Sequence, residues 1–409
     1  MATKIIILST GNDRPDRFQK SEMPKVLHIG KFFPPFAGGI ENFLADLMPA
    51  QVEQGDTVAA LLHDHQPRLS RFFAPVQAEI WNHQAIYRVP SYGRLLYAPV
   101  SPHFPFWLNR VLQTFQPQLL HLHLPNTSAF FALLLPHAKR IPWIIHWHAD
   151  VVSALNPTLS IAYKFYRPFE QRLLARAQTI ITTSPPYLAS SNALQPWQKK
   201  CQVIPLGIAK ARLPEPTRQA KQWAEQQWAK EKIRILTVGR LTYYKGHEVL
   251  IRAMTKVVGA QLFIVGSGEL RHSNEKLIAE LNLAHQVKLL GYCSEPELTA
   301  LLATCDCFCL PSLERTEAFG VVLLEAMRYG KPIVATAIAG SGVNWVIKET
   351  GLLVPPQDVL ALSEALQEMV DNPQQRILLG EAGQTRFIQV FDIKKVSKKI
   401  SALYRALLD

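Results

Sequence analysis

Two carboxylates and two cations mark the second half of this chain as a place for chemistry. Glu317 and Glu325 flank the segment Ala318-Phe319-Gly320-Val321-Val322-Leu323-Leu324. Gly320 stands where a loop turns into a helix, and a helix N-terminus offers N–H groups and partial positive charge to a phosphate. Glu317 precedes that helix and Glu325 lies on it. Carboxylates accept hydrogen bonds from vicinal hydroxyls, so a sugar and a ribose are sensible partners. Upstream, Val238-Gly239-Arg240-Leu241 closes an apolar run, with Lys245-Gly246 following. A guanidinium and an ammonium at a strand's carboxyl end suit a diphosphate.

The first half carries its own candidates. In Phe33-Pro34-Pro35-Phe36-Ala37-Gly38-Gly39-Ile40-Glu41, Gly38 and Gly39 let backbone approach a ligand ahead of a helix. In His146-Trp147-His148-Ala149-Asp150, an imidazole and a carboxylate follow another apolar run. The bland readings are solvated surface charge for Arg240 and Lys245, a tight turn for Gly38-Gly39 and a core imidazole for His148. Zinc is a further reading for His121, His123, His146, His148 and Asp150, if neighbouring strands bring them together.

Gly266-Ser267-Gly268 does not extend to G-x-G-x-x-G, because Arg271 takes the third glycine's place. No G-x-x-x-x-G-K-[ST] and no Asp-x-Asp occurs. The first absence argues against a P-loop NTPase. The second argues that a diphosphate is neutralised by Arg240, Lys245 and helix dipoles in place of Mg²⁺ or Mn²⁺. No metal and no cofactor is therefore expected.

These residues need elements to hold them. Apolar runs such as Val26–Gly30, Leu119–Leu124 and Trp143–Trp147 alternate with helical patterns such as Glu41–Gln54 and Tyr163–Ala177. The alternation restarts at Ile233–Val238, followed by Gln261–Val265, Cys305–Leu310 and the helical Val321–Tyr329. Strands apolar throughout and flanked by helices are parallel and buried on both faces. The chain therefore reads as α/β, with two doubly wound domains. Ligands of such sheets bind outside the carboxyl ends of the strands, so the cleft between the domains is the natural site. Pro-containing Leu213–Thr217 and polar Gln219–Lys232 read as the break between them. Val396, Ile400, Leu403 and Leu407 recur at helical spacing in a last amphipathic helix.

With 409 residues, 48% of them hydrophobic, the chain can bury more than one core and is not mostly disordered. No run approaches the ~18 uninterrupted apolar residues of a spanning helix. Five cysteines without a framework, three of them alternating at Cys305, Cys307 and Cys309, read as buried free thiols in a reducing compartment. The net charge of +12 implies anionic partners. Residues 1–22 begin with too short an apolar run for a signal peptide and are read as an extension.

Taken together, these pieces resemble the family-4 glycosyltransferases of the GT-B architecture, two Rossmann-like doubly wound parallel-sheet domains facing across a cleft. The matching motifs are Pro-Pro-x-x-Gly-Gly-x-Glu at 34–41, His-x-Asp at 148–150, Gly-Arg…Lys-Gly at 239–246, Gly-Ser-Gly at 266–268 and the Glu317/Glu325 pair. The resemblance implies an N-terminal acceptor domain over 23–205 and a nucleotide-sugar donor domain over 206–389. It also implies a final helix, 390–409, crossing back to the first domain. It implies that Arg240 and Lys245 bind the donor diphosphate and that Glu317 holds the donor sugar, with Phe319 and Gly320 backbone nearby. Glu325 would bind the ribose and His148 would sit against the transferred sugar. Gly39 would approach the phosphate, with Gly266, Gly268 and Tyr292 on the donor side and Gly38, Glu41 and Asp150 on the acceptor side. The activity implied is retaining transfer of a hexose from a GDP- or UDP-sugar to a glycan or lipid-linked acceptor.

Narrower likenesses at 146–152, 183–188 and 340–346 resemble bacterial mannosyl- and rhamnosyltransferases of O-antigen assembly, which use GDP-sugars. A GT-B-shaped epimerase or phosphorylase, and a non-catalytic membrane- or nucleic-acid-binding protein, are the alternatives. The intact Arg240, Lys245, Glu317 and Glu325 speak against the last. Residues 1–205 hold 19 Lys+Arg against 11 Asp+Glu, and basic, aromatic stretches lie at Tyr92–Phe115 and Tyr163–Arg176. The expectation is a cytoplasmic protein with no nucleic-acid partner, its first domain resting on an anionic membrane.

Overall fold

A computed structural model describes residues 23–36, 38–66, 76, 78–95, 98–151 and 157–409. The expected extension, residues 1–22, lies outside them, as do Ala37 of the Gly-Gly loop and Val152. The strands are β1 (Lys25–Ile29), β2 (Thr57–His63), β3 (Glu79–Trp81), β4 (Gln84–Val89), β5 (Arg94–Leu95), β6 (Ala98–Pro99), β7 (Leu119–Leu124), β8 (Trp143–Trp147), β9 (Thr179–Thr182) and β10 (Cys201–Val203). They continue as β11 (Ile233–Val238), β12 (Ala260–Val265), β13 (Val287–Gly291), β14 (Cys307–Leu310), β15 (Ile333–Thr336) and β16 (Gly351–Val354).

Two sheets result. The first runs β10-β9-β8-β7-β1-β2-β4-β3, parallel except where β3 pairs antiparallel with β4. The second runs β13-β12-β11-β14-β15-β16 and is parallel throughout. In each sheet the strand order reverses beside its first strand, between β1 and β7 and between β11 and β14. Those reversals open the crevices where open α/β sheets take ligands.

Period two sorts the side chains of β1. Leu27 and Ile29 join Leu120, Leu122 and Ile145 in one apolar core, under Phe104, Trp107 and Leu108 of the helix Phe104–Phe115. Val26 faces the opposite way, with Leu119 and Ile144, toward Phe43, Leu44 and Leu47 of the helix Gly39–Glu53. His28, His121, His123 and His146 share that second parity and are buried on the same face.

The polar stretch read as a linker is partly structured. Arg218–Gln227 is a helix with Ala224 buried, and Trp228 just beyond it stacks on Phe263 with centroids 3.8 Å apart. Only a narrow stripe of that helix is apolar, so composition concealed it. The strand expected over Cys305–Leu310 begins at Cys307, because the Cys305 N–H still caps the preceding helix through Leu301 O. Cys305, Cys307 and Cys309 are free and buried, and burial pushes the Cys305 thiol up to about 12.

The chain crosses between the two sheets twice, and the crossings lie side by side. Ile208 N–H donates to Phe391 O at 3.1 Å and Ile393 N–H donates to Ile208 O at 3.2 Å. A Cβ on Gly207 would stand 2.8 Å from Phe391 O, so the close pairing needs glycine there. After the second crossing, helix Ile393–Leu408 docks on the first domain. Lys394 reaches Glu53 at 2.9 Å, Ser401 bonds Asp56, and Arg405 bonds Gln54 O at 2.7 Å. Among the described residues no helix is long and apolar enough to cross a membrane.

Candidate active site

The second domain's side of the cleft is built by loops packed without Cβ atoms between them. A Cβ on Gly266, at φ +140°, would collide with Gly239 O, and one on Gly268 with Leu241 O. These glycines therefore let the loop after β12 lie flat on the loop after β11, which carries Arg240. Gly246, at φ +68°, does the same for Pro311 O after β14. That approach brings Lys245, in the turn Tyr243–Lys245, onto the loop that holds Glu317. Lys245 Nζ donates to Glu317 Oε2 at 2.6 Å, and Ser312 Oγ donates to the same oxygen at 3.0 Å. Burial pulls the Lys245 ammonium down, but Glu317 and Tyr244 outweigh it and its pKa ends above the usual lysine value. The lysine stays charged with a fixed partner.

Gly320, at φ +76°, is the N-cap of helix Val321–Arg328, so Glu317 precedes the helix and Glu325 rides on it. The loop is tied from behind. Ser341 Oγ donates to Glu317 O, and Gly342 N–H donates to Ala318 O at 2.8 Å. The Phe319 side chain is core, against Trp345 and Phe391, which leaves only its backbone for a ligand. Arg240 is exposed, with Nη2 3.3 Å from Tyr244 OH. Tyr292 is 79% exposed beyond β13.

Across the cleft, the helix Gly39–Glu53 starts at the Gly-Gly loop. A Cβ on Gly39 would sit 3.3 Å from Val321 Cγ2, so the two helix N-termini face each other. Glu41 folds back so closely that a Cβ on Gly38 would strike its carboxylate. Burial raises the Glu41 pKa against the pull of Lys31, Arg240 and Arg94. Lys31, at the end of β1, is held below the usual lysine value by burial, although Glu41 pulls it up. Arg94 lies over the rings of Phe32 and Phe36, 4.9 Å from each centroid. Lys31, Arg94, Arg240 and Lys245 thus concentrate positive potential where the helix N-termini meet.

His148 is 3% exposed, and burial pushes its pKa down to about 3. It acts as a neutral imidazole. Its Nε2 lies 2.9 Å from His123 Nδ1. Asp150 is not free for an acceptor. Its Oδ2 takes Arg315 Nη1 at 2.7 Å, and its Oδ1 takes Trp147 Nε1 at 2.8 Å and Ser191 Oγ at 2.7 Å. Arg315 also stacks on Tyr187, 4.2 Å from the centroid, and reaches Ser190 Oγ at 2.8 Å. Asp150 is thereby part of a latch between the domains. A second latch joins Asp46 Oδ2 to Arg212 Nε at 2.9 Å and Arg212 Nη1 to Glu325 Oε1 at 3.2 Å.

The structure therefore brings Arg240, Lys245, Glu317, Gly320, Gly39 and Glu41 to one cleft and puts Glu325 on Arg212. Lys31, Arg94, Arg212 and Arg315 were not singled out from sequence. The rule that strand ends carry function points to Lys31, while the partners of the other three are far apart in the chain.

The histidines do come together: His28/His121/His123 and His123/His146/His148 each hold their nitrogens within 4.8 Å. Their geometry does not suit zinc. An imidazole binds a metal in its own ring plane. His146 and His148 are stacked at 2° with centroids 4.2 Å apart, and His123 is tilted from them by only 16° and 17°. Stacked planes share no common point. In the other group, His28 Nδ1 and His123 Nε2 face one another at 3.0 Å as a hydrogen bond.

Residues 38–207 match a family described as a glycosyl transferase 4-like domain, and residues 219–386 match the glycosyl transferases group 1. The O-antigen chain mannosyltransferase C of Escherichia coli is 27% identical over 388 residues, 94% of this chain and 99% of that protein. The D-rhamnosyltransferase WbpZ of Pseudomonas aeruginosa is 32% identical over 253 residues, 61% of this chain and 64% of that one. Among solved structures, a sucrose-phosphate synthase from Thermosynechococcus elongatus superposes with a TM-score of 0.77 at 26% identity, over 94% of this chain and 99% of its own.

Proposed function

The chain belongs to the glycosyltransferases of the GT-B architecture, and from that premise we propose that it moves a mannose-like hexose, with retention, from a nucleoside diphosphate sugar to a glycan or lipid-linked acceptor in polysaccharide assembly. The observation that carries this reading is the meeting of two helix N-termini, at Gly39 and Val321, among Lys31, Arg240 and Lys245. Such a site fits a diphosphate. The mannosyl and rhamnosyl relatives support the sugar class.

In this reading Arg240 and Lys245 stabilise the negative charge that develops on the departing diphosphate. Glu317, oriented by Lys245 and Ser312, binds donor-sugar hydroxyls, and Glu325, pinned by Arg212, binds the ribose. His148 contacts the sugar as a neutral imidazole. The acceptor hydroxyl attacks from the face the diphosphate leaves, and a donor phosphate oxygen takes its proton. The protein contributes positioning and preorganised electrostatics. No metal is required, because fixed cations and helix dipoles already neutralise the diphosphate.

A thermal-shift screen with GDP- and UDP-sugars in excess EDTA tests this. Binding to the native state stabilises it by about 2.7 kcal/mol at a hundredfold excess over Kd. The matching nucleotide sugar is expected to raise the midpoint and transfer to persist in EDTA. A flat screen would count against the donor site, and strict metal dependence against the metal-free mechanism.

The basic first domain supports a membrane-apposed acceptor. Ile161, Phe165 and Phe169 are exposed at helical spacing on Pro157–Arg176, with exposed Lys164, Arg167 and Arg172 among them. Apolar side chains flanked by cations suit an anionic bilayer. The protein is expected to sediment with phosphatidylglycerol vesicles and not with phosphatidylcholine vesicles, and Phe165→Ser with Lys164→Glu to abolish this. Equal sedimentation with both would remove the membrane role.

A further inference from the structure

Beneath His148 runs an unbroken line of buried hydrogen bonds that the transfer chemistry does not require. Helix Ile393–Leu408 supplies Tyr404 and helix Gly39–Glu53 supplies Gln51, both fully buried. Gln51 Nε2 donates to Tyr404 OH at 2.7 Å. Gln51 Oε1 meets His28 Nε2 at 2.9 Å, His28 Nδ1 meets His123 Nε2 at 3.0 Å, and His123 Nδ1 meets His148 Nε2 at 2.9 Å. His148 Nδ1 has no partner among the described residues.

Neutral imidazole carries one N–H, so each ring that donates from one nitrogen must accept at the other. Burial keeps these rings neutral, with His28 lowered to about 4 and His123 well below the usual histidine value. The line therefore has one polarity, set at its start. Gln51 Oε1 can only accept, so His28 carries its proton on Nε2. His28 Nδ1 then accepts from His123 Nε2–H, and His123 Nδ1 accepts from His148 Nε2–H. With the amide in this orientation Tyr404 accepts from Gln51 Nε2, which leaves its own proton for His121 Nδ1, 2.5 Å away. His146, stacked alongside with neither nitrogen bonded, takes no part.

We propose that Gln51 is a positioning residue: through His28 and His123 it fixes His148 as the Nε2–H tautomer and leaves the His148 Nδ1 lone pair, buried and unpartnered among the described residues, to accept from a hydroxyl of the donor sugar when it binds. The sugar contact rests on the function proposed above, whereas the tautomer does not. Reversing the amide would reverse every bond in the line and turn His148 Nδ1 into a donor, so one side chain distant from the substrate selects which hydrogen-bond sense the sugar meets. The closing helix enters the site by this route, since Tyr404 anchors the amide.

The test is ¹⁵N NMR of protein labelled at histidine nitrogens, with His148 assigned by the signals lost in His148→Gln. Native protein without substrate is expected to show His148 with a protonated Nε2 and a bare Nδ1. Gln51→Met removes the polarity and is expected to give a mixture of His148 tautomers, with the KM for GDP-mannose raised roughly fivefold, one hydrogen bond's worth, and kcat changed less. Tyr404→Phe frees the amide and is expected to produce the same mixture. A native His148 protonated on Nδ1 overturns the proposal whatever the variants do. So does a His148 signal unchanged in Gln51→Met or, should that variant fail to fold, in Tyr404→Phe. Because the NMR reading needs no donor, a chain that transfers no sugar would sink the proposed function and leave the tautomer assignment to be judged by itself.

Discussion

Lys245→Ala is expected to lower kcat for hexose transfer by about a thousandfold, the upper range for removing one preorganised charge from a transition state. Lys245 Nζ sits 2.6 Å from Glu317 Oε2 in a buried pocket, so two losses coincide. The leaving diphosphate loses a cation, and Glu317 loses the partner that aims it. Stability falls as well, because a buried carboxylate stripped of its cation costs roughly 3–5 kcal/mol. Glu317→Gln in the same chain removes the unpaired charge. The double variant should therefore recover much of the thermal midpoint while remaining inactive, a coupling that a double-mutant cycle reads directly. Steady-state kinetics beside thermal denaturation separate the two effects, and full activity in Lys245→Ala would refute the site assignment.

Acidification is expected to unfold the protein cooperatively between about pH 6 and pH 5. Seven histidines, His28, His63, His121, His123, His146, His148 and His247, are buried. Burial lowers His28 and His247 to about 4 and His63 and His148 to about 3, and holds the other three well below the usual value. Unfolded imidazoles take up protons below about 6.5. Over the window from there down to about 4, the unfolded chain binds more protons than the native one, so stability rises with pH and drains away as pH falls. Each histidine removes up to about 1.4 kcal/mol per pH unit, against a typical total of ~5–15 kcal/mol. Glu170, lifted by burial to about 7, works in the opposite sense, as do Glu41, Asp46 and Asp56, which burial also raises, but these are four groups against seven. Tryptophan fluorescence against pH measures the midpoint, and His146→Leu should move it lower. A native spectrum at pH 4 would contradict the linkage.

Much of this molecule can be read from its residues, and the parts that cannot share a cause. β7, β8 and β11 have the bounds their runs suggest, because parallel strands covered by helices leave a largely apolar record. The short helices Pro136–Arg140, Pro185–Ser190 and Val343–Ile347, and the edge strand Glu79–Trp81, are too brief to show a period. Arg240, Lys245 and Glu317 were visible because each follows a strand or precedes a helix, where chemistry is done. Arg212 and Arg315 were not, because their carboxylates lie 166 and 165 residues away in the chain. Asp150 looked like an acceptor ligand for the same reason, since nothing near it in sequence announces Arg315. The histidine line was half legible. Alternation in Leu119–Leu124 puts His121 and His123 on one face, but only folding adds Gln51 and Tyr404.

The paired crossings at Ile208 and Ile393 have a mechanical meaning. A lone tether would let one domain swivel and slide against the other. Two chain segments bonded edge to edge form a ribbon, thin in one direction and wide in the other, and such a ribbon bends about a single axis while resisting shear and torsion. Any opening of the cleft would then reduce to one angle. Each return along that arc would bring Val321 back to Gly39 and Arg315 back to Asp150 in the same register, so alignment of the two halves of the cleft would be inherited from the paired crossings and not searched for anew.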